Sequence, residues 1–267
     1  MMGIDYKMRH NLNIIGNGKQ KLLFIHGFAS SQESWEWITP AFEDDYTMVL
    51  LDLVGSGKSD KRDYDEKRYQ SLMGYVDDLI ELCDALDMTD SIVIGHSVGG
   101  TIGLLLANKR PDLVKQVQMI GASPRYLNDF PDYIGGFERE NVDQILEMME
   151  LNYTGWASYL APVALPEIEG SNQTKYVEVS FLSSDPKLTY AFLKITLLVD
   201  YRHILKDVET DTVILQCSED SFVPIEAAEY MAKEIKNSHL HVLSAKGHYP
   251  HVSHPEETIA AIKSYLN

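Results

Sequence analysis

Short apolar runs, rich in β-branched residues, recur along the chain between glycine, proline and aspartate residues. Runs without strict alternation of apolar and polar positions are typical of strands that are buried on both faces of a parallel sheet. We predict strands at residues 21–26, 47–52, 91–95, 114–120, 212–217 and 240–243.

The segments between these runs carry apolar residues at helical spacing. Residues 75–86, 228–235 and 259–266 each place their apolar side chains on one helical face. Alternating strands and helices predict crossover units around a parallel sheet. The last helix is predicted to begin at Ser253-His254-Pro255-Glu256, which combines a capping-box pattern with an early proline.

The alternation of strands and helices stops between residues 123 and 205. This stretch of about eighty residues has no strand pattern and is far longer than an ordinary loop. It contains one helical stripe at residues 142–149 and another that starts at Asp185-Pro186 and includes Leu188, Ala191, Phe192, Ile195 and Val199. We predict a helical cap at about residues 124–205, inserted into a single domain of residues 1–267.

Gly95-His96-Ser97-Val98-Gly99 lies between the predicted strand at 91–95 and a run typical of a helix. This arrangement is that of a nucleophile elbow. The serine must take a strained backbone conformation to project its hydroxyl, and a Cβ at either glycine would collide with the crossing strand and helix. We therefore predict that Ser97 is a catalytic nucleophile.

A serine hydroxyl needs a general base, and the base needs a carboxylate to orient it. In this architecture the three residues follow the chain order serine, acid, histidine. Asp220 follows the strand at 212–217 and His248 follows the strand at 240–243, so both leave the carboxyl ends of strands, where active sites of open α/β sheets lie. We predict His248 as the base and Asp220 as the acid, with Glu219 as the alternative acid.

His26-Gly27-Phe28 ends the first predicted strand. From this position the Phe28 N–H group, together with that of Val98, is expected to face the substrate oxyanion; removal of one such donor costs about 2.7 to 4 kcal/mol. The Phe28 ring can also line a pocket or belong to the core.

Two further patterns invite interpretations that we reject. The glycines of residues 52–60 lack the spacing of a phosphate-binding loop and are better explained as a tight turn. His248, His251 and His254 are spaced like metal ligands, but Pro250 interrupts a helix between the first two, and no carboxylate or cysteine cluster adjoins them. We predict no metal site.

Composition narrows the class of protein. The chain has 267 residues, 45% of them hydrophobic and 24% charged, as in an ordinary globular enzyme. A formal net charge of −17 argues against nucleic acid and anionic membranes as partners.

The first residues lack the apolar region of a signal peptide, so we expect a cytoplasmic protein. Cys83 and Cys217 are expected to be small core residues.

The elbow, the His26-Gly27-Phe28 segment and the turn at 52–59 resemble the α/β-hydrolase superfamily. The segments 123–129 (SPRYLND), 135–138 (GGFE), 152–157 (NYTGWA) and 247–251 (GHYPH) resemble RsbQ-type stress-response regulators of bacteria and the plant karrikin and strigolactone receptors. The resemblance runs from about Asn11 to the C-terminus. Gly99-Gly100 departs from the pattern of many relatives, and residues 164–175 diverge from it. The resemblance therefore does not imply the shape of the pocket or the identity of the ligand.

The resemblance implies an α/β-hydrolase fold with a mostly parallel sheet, a helical cap and no cofactor. The matching positions imply Ser97, Asp220 and His248 as catalytic residues and Phe28 and Val98 as the oxyanion hole. We expect the pocket for a small hydrophobic molecule to be lined by Phe28, Tyr126, Phe137, Trp156, Tyr159, Phe192 and Phe222.

The predicted function is hydrolysis of a small apolar ester or lactone, in an RsbQ-like regulator that acts on a PAS-domain-containing phosphatase. The alternative is a metabolic carboxylesterase or lactonase without a signalling partner. A serine nucleophile disfavours a dehalogenase or epoxide hydrolase, which need a carboxylate. A catalytically inactive binding protein is disfavoured because all three catalytic residue types are present.

Overall fold

A sheet of seven strands forms the centre of the computed structural model, which describes residues 5–168 and 170–266. The strands are β1 (Asn13–Ile15), β2 (Gln20–Ile25), β3 (Tyr46–Leu50), β4 (Ser91–His96), β5 (Val114–Ile120), β6 (Asp211–Glu219) and β7 (Ser238–Lys246). Their spatial order is β1-β3-β2-β4-β5-β6-β7. Only the β1–β3 pair is antiparallel among these neighbours. The mostly parallel sheet is confirmed, and β1 is an additional strand that the pattern did not predict.

Residues 1–4, 169 and 267 lie outside the described residues. They include the start of the chain, on which the expectation about a signal peptide depends. Within the described part of the chain, no helix is both long enough and apolar enough to cross a bilayer.

The described residues form the helices α1 (Tyr6–Arg9), α2 (Met73–Ala85), α3 (Val98–Lys109), α4 (Arg139–Leu151), α5 (Tyr153–Ala164), α6 (Asn172–Ser183), α7 (Pro186–Leu198), α8 (Ile225–Glu234), α9 (Pro250–Ser253) and α10 (Pro255–Ser264). Helices α2, α8 and α10 contain most of the three segments predicted from helical spacing, and each helix ends one or two residues before its predicted segment does. Cys83 and Cys217 are buried free thiols, as expected.

The sheet is buried on both faces. In β2, Leu23 and Ile25 contribute to a core that includes residues of α2 and α3, while Leu22 and Phe24 contribute to a second core with residues of α10. Because side chains alternate between the two faces of a strand, both sets must be apolar. For this reason the sequences of the strands are continuous apolar runs.

The start of α10 differs in detail from the prediction. Pro255 is the first helical residue, as expected, but the cap residue is His254 and its side chain makes no capping hydrogen bond. Ser253 belongs to the preceding helix α9, and its hydroxyl donates to the Tyr249 carbonyl. The predicted capping box is therefore wrong, because a short helix immediately before α10 uses the serine.

Helices α4 to α7 lie between β5 and β6 and form the predicted helical cap. The Asp185 carboxylate caps α7 by accepting hydrogen bonds from the N–H groups of Lys187 and Leu188. Helices α5 and α6 were not predicted individually. The boundaries of a single domain stay a prediction.

The predicted stripe of α7 is only partly right. The buried residues are Thr189, Phe192, Leu193, Thr196 and Leu197, whereas Leu188, Ala191, Ile195 and Val199 are half-buried. Ile195 packs against the core of the sheet, and Leu193 belongs to the core of the cap. Because α7 packs on two sides, a single apolar stripe could not describe it.

Candidate active site

Ser97 lies at the sharp turn between β4 and α3, with φ 52° and ψ −127°. This backbone conformation is in the left-handed region, which a residue with a side chain rarely adopts. A Cβ at Gly95 would lie 2.5 Å from the Gly100 Cα, and a Cβ at Gly99 would overlap the His26 carbonyl oxygen. The steric reasons for a nucleophile elbow are therefore all present.

Three side chains form a continuous hydrogen-bonded chain. The Ser97 Oγ lies 2.8 Å from the His248 Nε2, and the His248 Nδ1 lies 2.8 Å from one Asp220 carboxylate oxygen and 3.1 Å from the other. A carboxylate can only accept, so Nδ1 carries the proton and Nε2 accepts from the serine hydroxyl. This is the tautomer that a general base requires.

The Asp220 carboxylate is oriented by the backbone that follows it. One oxygen accepts hydrogen bonds from the N–H groups of Phe222 at 2.8 Å and Val223 at 3.2 Å, and the side chain is fully buried. Glu219, in contrast, is 70% exposed and pairs with Lys246 at 2.6 Å. The structure therefore brings Asp220, and not the alternative acid, to His248.

Of the two expected oxyanion donors, Val98 directly follows the serine and Phe28 lines the same cavity as Ser97. Val98 is the first residue of α3, so its N–H group is one of those that a helix leaves without an intrahelical partner. Phe28 lies beyond the last paired residue of β2, Ile25. The carbonyl groups of Ile25, the last residue of β2, and of His26 lie against Gly99, which places the Phe28 segment beside the elbow.

A cavity of about 590 Å³, counting its opening to solvent, leads from the cap to Ser97 and His248. Of the predicted pocket residues, it is lined by Phe28, Tyr126, Phe137 and Phe222. The residues that sequence reasoning missed are Ile145, Leu160, Ala164, Phe181, Leu193, Thr196, Leu197 and Tyr249. Two of these residues could have been found from the sequence. Ile145 lies in the predicted stripe at 142–149, and Tyr249 directly follows the predicted base His248.

Besides Ser97 and His248, the lining of the cavity includes the polar side chains of Tyr126 and Thr196. The Tyr126 hydroxyl lies 3.5 Å from the Ser97 Oγ, and burial raises the pKa of Tyr126, so the phenol keeps its proton. The Thr196 hydroxyl is already used, because it donates to the Phe192 carbonyl. The remaining lining residues are aliphatic or aromatic, and Tyr249 is the one among them that carries a hydroxyl.

Three predicted pocket residues do not line this cavity, which corrects the expectation. Trp156 is only 1% exposed and lies behind Phe28, with ring centroids 5.9 Å apart. Tyr159 is 60% exposed, away from the cavity. Phe192 also contacts Phe28 but packs towards Tyr75 in the core of the sheet. Sequence alone does not set the rotation of the cap helices, which decides the lining.

The spaced histidines have separate environments. His251 is fully buried, with its ring centroid 4.5 Å from that of Trp35, while the His254 Nε2 lies 3.4 Å from a Glu167 carboxylate oxygen. Among residues 5–168 and 170–266, no group of three or more histidine, cysteine or carboxylate side chains is arranged to hold a metal ion.

The family model for the alpha/beta hydrolase fold matches residues 21–255. The chain belongs to the α/β-hydrolase family. Because Ser97, His248 and Asp220 form one hydrogen-bonded chain, it is a serine hydrolase of the carboxylic ester class.

Similar proteins define the place of the chain within the α/β-hydrolase family more closely. The hydrolase is 34% identical over 259 residues to the Karrikin insensitive 2 receptor CA of Petunia hybrida, covering 97% of this chain and 96% of that protein. It is 34% identical over 255 residues to the strigolactone esterase RMS3 of Pisum sativum, covering 95% of each. A hydrolase from Oleispira antarctica of known structure superposes with a TM-score of 0.95 at 36% identity, covering 98% of this chain and 96% of that one. The hydrolase therefore belongs to the family of these receptors and esterases.

Proposed function

We propose that this hydrolase cleaves a small, uncharged and largely apolar lactone or ester. The observation that carries the proposal is the position of the Ser97–His248–Asp220 chain at the polar end of an otherwise apolar cavity. The lining described for this cavity contains no lysine, arginine, aspartate or glutamate that could pair with an ionic substituent. A lactone is favoured over an open-chain ester because of the similarity to a strigolactone esterase.

The proposed reaction follows the hydrogen bonds of the site. The His248 Nε2 takes the hydroxyl proton as the Ser97 Oγ attacks the carbonyl carbon, while Asp220 holds the imidazolium that forms. The oxyanion accepts hydrogen bonds from the N–H groups of Phe28 and Val98. His248 then donates its proton to the leaving oxygen, which gives the acyl-enzyme. Water, activated by the same histidine, releases the acid and restores the serine.

A lactone differs from an ester in one measurable respect. Ring opening leaves the new hydroxyl attached to the acyl group, so the acyl-enzyme keeps the whole mass of the substrate. An ester loses its alcohol at the same step. Intact-protein mass spectrometry after rapid acid quenching distinguishes the two, with an apolar butyrolactone and p-nitrophenyl acetate as the probes.

The expected result is turnover of at least one probe, with a covalent adduct on Ser97 in the wild type and none in Ser97→Ala. Equal hydrolysis by both proteins would overturn the proposed nucleophile. A wild type that leaves both probes intact would overturn the proposed substrate class.

We further propose a regulatory role, in which the outcome of hydrolysis passes to a PAS-domain-containing phosphatase. The support is the apolar surface of the cap, where Leu151, Val179 and Tyr159 are 79%, 62% and 60% exposed. Apolar side chains exposed in this way are typical of interaction sites when they form a patch. The alternative, an esterase without a partner, needs no such surface.

Co-precipitation tests this role. Leu151→Glu in the cap should abolish capture of the phosphatase, and Ser97→Ala should retain it while losing the downstream signal. Val242→Glu is the matched control, because Val242 is half exposed on β7, outside the cap. Absence of the phosphatase from the wild-type and Ser97→Ala precipitates would favour the esterase without a partner.

A further inference from the structure

His26 is fully buried beside the active site but is not part of the catalytic chain. Its Nε2 accepts a hydrogen bond from the Leu53 backbone N–H at 3.0 Å. An amide N–H can only donate, so Nε2 carries a lone pair and the ring proton is on Nδ1. That Nδ1–H donates to the Gly27 carbonyl oxygen at 2.7 Å. The Leu53 amide thus sets the tautomer that lets His26 hold the Gly27 carbonyl.

The Gly27 carbonyl and the Phe28 N–H belong to the same peptide group. A trans peptide is planar, and its C=O and N–H bonds point in opposite directions. A hydrogen bond that fixes the direction of the Gly27 carbonyl therefore also fixes the direction of the Phe28 N–H.

Packing fixes where this peptide lies but leaves its rotation free. The Gly99 Cα is packed against the His26 carbonyl, and a Cβ on Gly27 would lie 2.6 Å from the His96 Nδ1. The segment cannot move towards the elbow. However, a peptide next to glycine can rotate with little steric cost, because glycine tolerates a wide range of backbone angles. The bond from His26 is the contact that selects one orientation.

We propose that His26 is a positioning residue of the oxyanion hole, which aims the Phe28 N–H at the reacting carbonyl by holding the Gly27 carbonyl from the opposite side. This inference rests on the proposed function, because an oxyanion forms only if Ser97 attacks a carbonyl. Burial lowers the pKa of His26 and keeps the ring neutral, as acceptance from Leu53 requires.

Two substitutions separate this role from simple packing. His26→Leu removes both hydrogen bonds, whereas His26→Asn retains an N–H donor near the position of Nδ1. The matched control is His10→Leu, since His10 is also buried and its Nδ1 also contacts a backbone carbonyl, that of Asp52 at 3.3 Å. His10 is not among the residues that line the described cavity.

The assay measures hydrolysis of p-nitrophenyl acetate and inhibition by an aryl trifluoromethyl ketone, whose serine adduct carries an oxyanion. Loss of one oxyanion donor costs about 10²- to 10³-fold in kcat. For His26→Leu, where the donor is misdirected, we expect a loss of about 10- to 100-fold in kcat and an equal loss of affinity for the ketone, with KM changed less than about twofold. His26→Asn should recover most of both losses.

Folding is controlled independently. His10→Leu should lower thermal stability as much as His26→Leu does and leave kcat and ketone affinity unchanged. The tautomer of His26 is read in the wild type from its ¹⁵N chemical shifts, which needs no variant. A proton on Nε2 would overturn the inference, and so would a His26→Leu protein with wild-type kcat or an equal loss in His26→Asn.

Failure of the proposed function has a different signature. A wild type that neither hydrolyses the ester nor forms the ketone adduct at Ser97 overturns both proposals. An active wild type whose ketone affinity does not respond to His26→Leu overturns the role of His26 alone.

Discussion

The carboxyl edge of the sheet and the helical cap face the same cavity, but their side chains are held in different ways. At the edge, two backbone N–H groups orient the Asp220 carboxylate, and the Leu53 amide orients His26. In the cap, Trp156 is held mainly by ring contacts, at 5.6 Å from Phe181 and 5.4 Å from Tyr153.

Hydrogen bonds weaken steeply with distance and angle, whereas apolar cores tolerate exchange of side chains if the total volume is kept. The hydrogen bonds at the edge therefore fix the positions of the catalytic atoms, whereas the packing of the cap determines the shape of the cavity. Substitutions of the catalytic side chains at the edge, Ser97, Asp220 and His248, should reduce the rate of hydrolysis with little change in stability. Substitutions in the cap should reduce stability or alter ligand preference.

The largest effect on rate is expected for Ser97→Ala. Loss of the nucleophile should reduce kcat for p-nitrophenyl acetate on the order of 10⁶-fold. The melting temperature should stay close to that of the wild type, because the strain at the elbow is in the backbone and alanine keeps the Cβ. A large fall in melting temperature would show that Ser97 also stabilises the fold, which would contradict the comparison between edge and cap.

A smaller loss is expected for Asp220→Asn, on the order of 10⁴-fold in kcat, because the amide no longer fixes the histidine tautomer. Glu219→Gln is the matched control: it removes a neighbouring charge that is exposed and paired with Lys246. An exposed pair contributes little, so this variant should retain nearly full activity. The reverse order of activities would contradict the assignment of the acid.

The cap side of the comparison is tested by Trp156→Ala. A buried tryptophan truncated to alanine costs about 3 to 5 kcal/mol of stability. Tyr159→Ala, on the exposed side of the same helix, should change stability by less than about 0.5 kcal/mol. Urea unfolding measures the stability of both variants. Leu160→Ala enlarges the cavity, because Leu160 lines it, and this variant should change the preference for ligand size where Trp156→Ala does not. Equal stability of the two aromatic variants would contradict this division.

The smallest effect concerns His251, which lies under the catalytic edge. Burial lowers the pKa of His251 from 6.5 to about 3. Between these pH values the unfolded chain binds a proton that the folded protein does not, so the free energy of unfolding falls as pH drops, by up to about 1.4 kcal/mol per pH unit for this group.

His251→Phe should flatten the decline measured by urea unfolding at pH 7, 6 and 5, and leave a residual slope. His10, His26 and His96, whose pKa values burial also lowers, account for part of that residual slope. Identical pH dependence in the variant and the wild type would show that His251 is not buried as the structure describes.

The catalytic edge could be predicted because its information is local. An elbow needs glycines at two fixed positions around Ser97, and the ends of parallel strands meet at one edge, so Asp220 and His248 could be placed together before any contact was known. The choice between Asp220 and Glu219 needed the structure. Adjacent residues of a strand point to opposite sides, and only the backbone turn after β6 shows which one faces the histidine.

The sequence by itself determined the strand and helix alternation, the position of the cap in the chain and the residue types of the catalytic chain. The tertiary structure alone decided that Trp156 lies behind Phe28, that Tyr159 faces outward and that Leu160 and Phe181 line the cavity. The physical reason is that dispersion contacts carry no directional pattern along the chain. An aromatic residue in a cap helix has apolar surroundings both when it packs in the core and when it lines the pocket, so its position in the sequence does not distinguish the two.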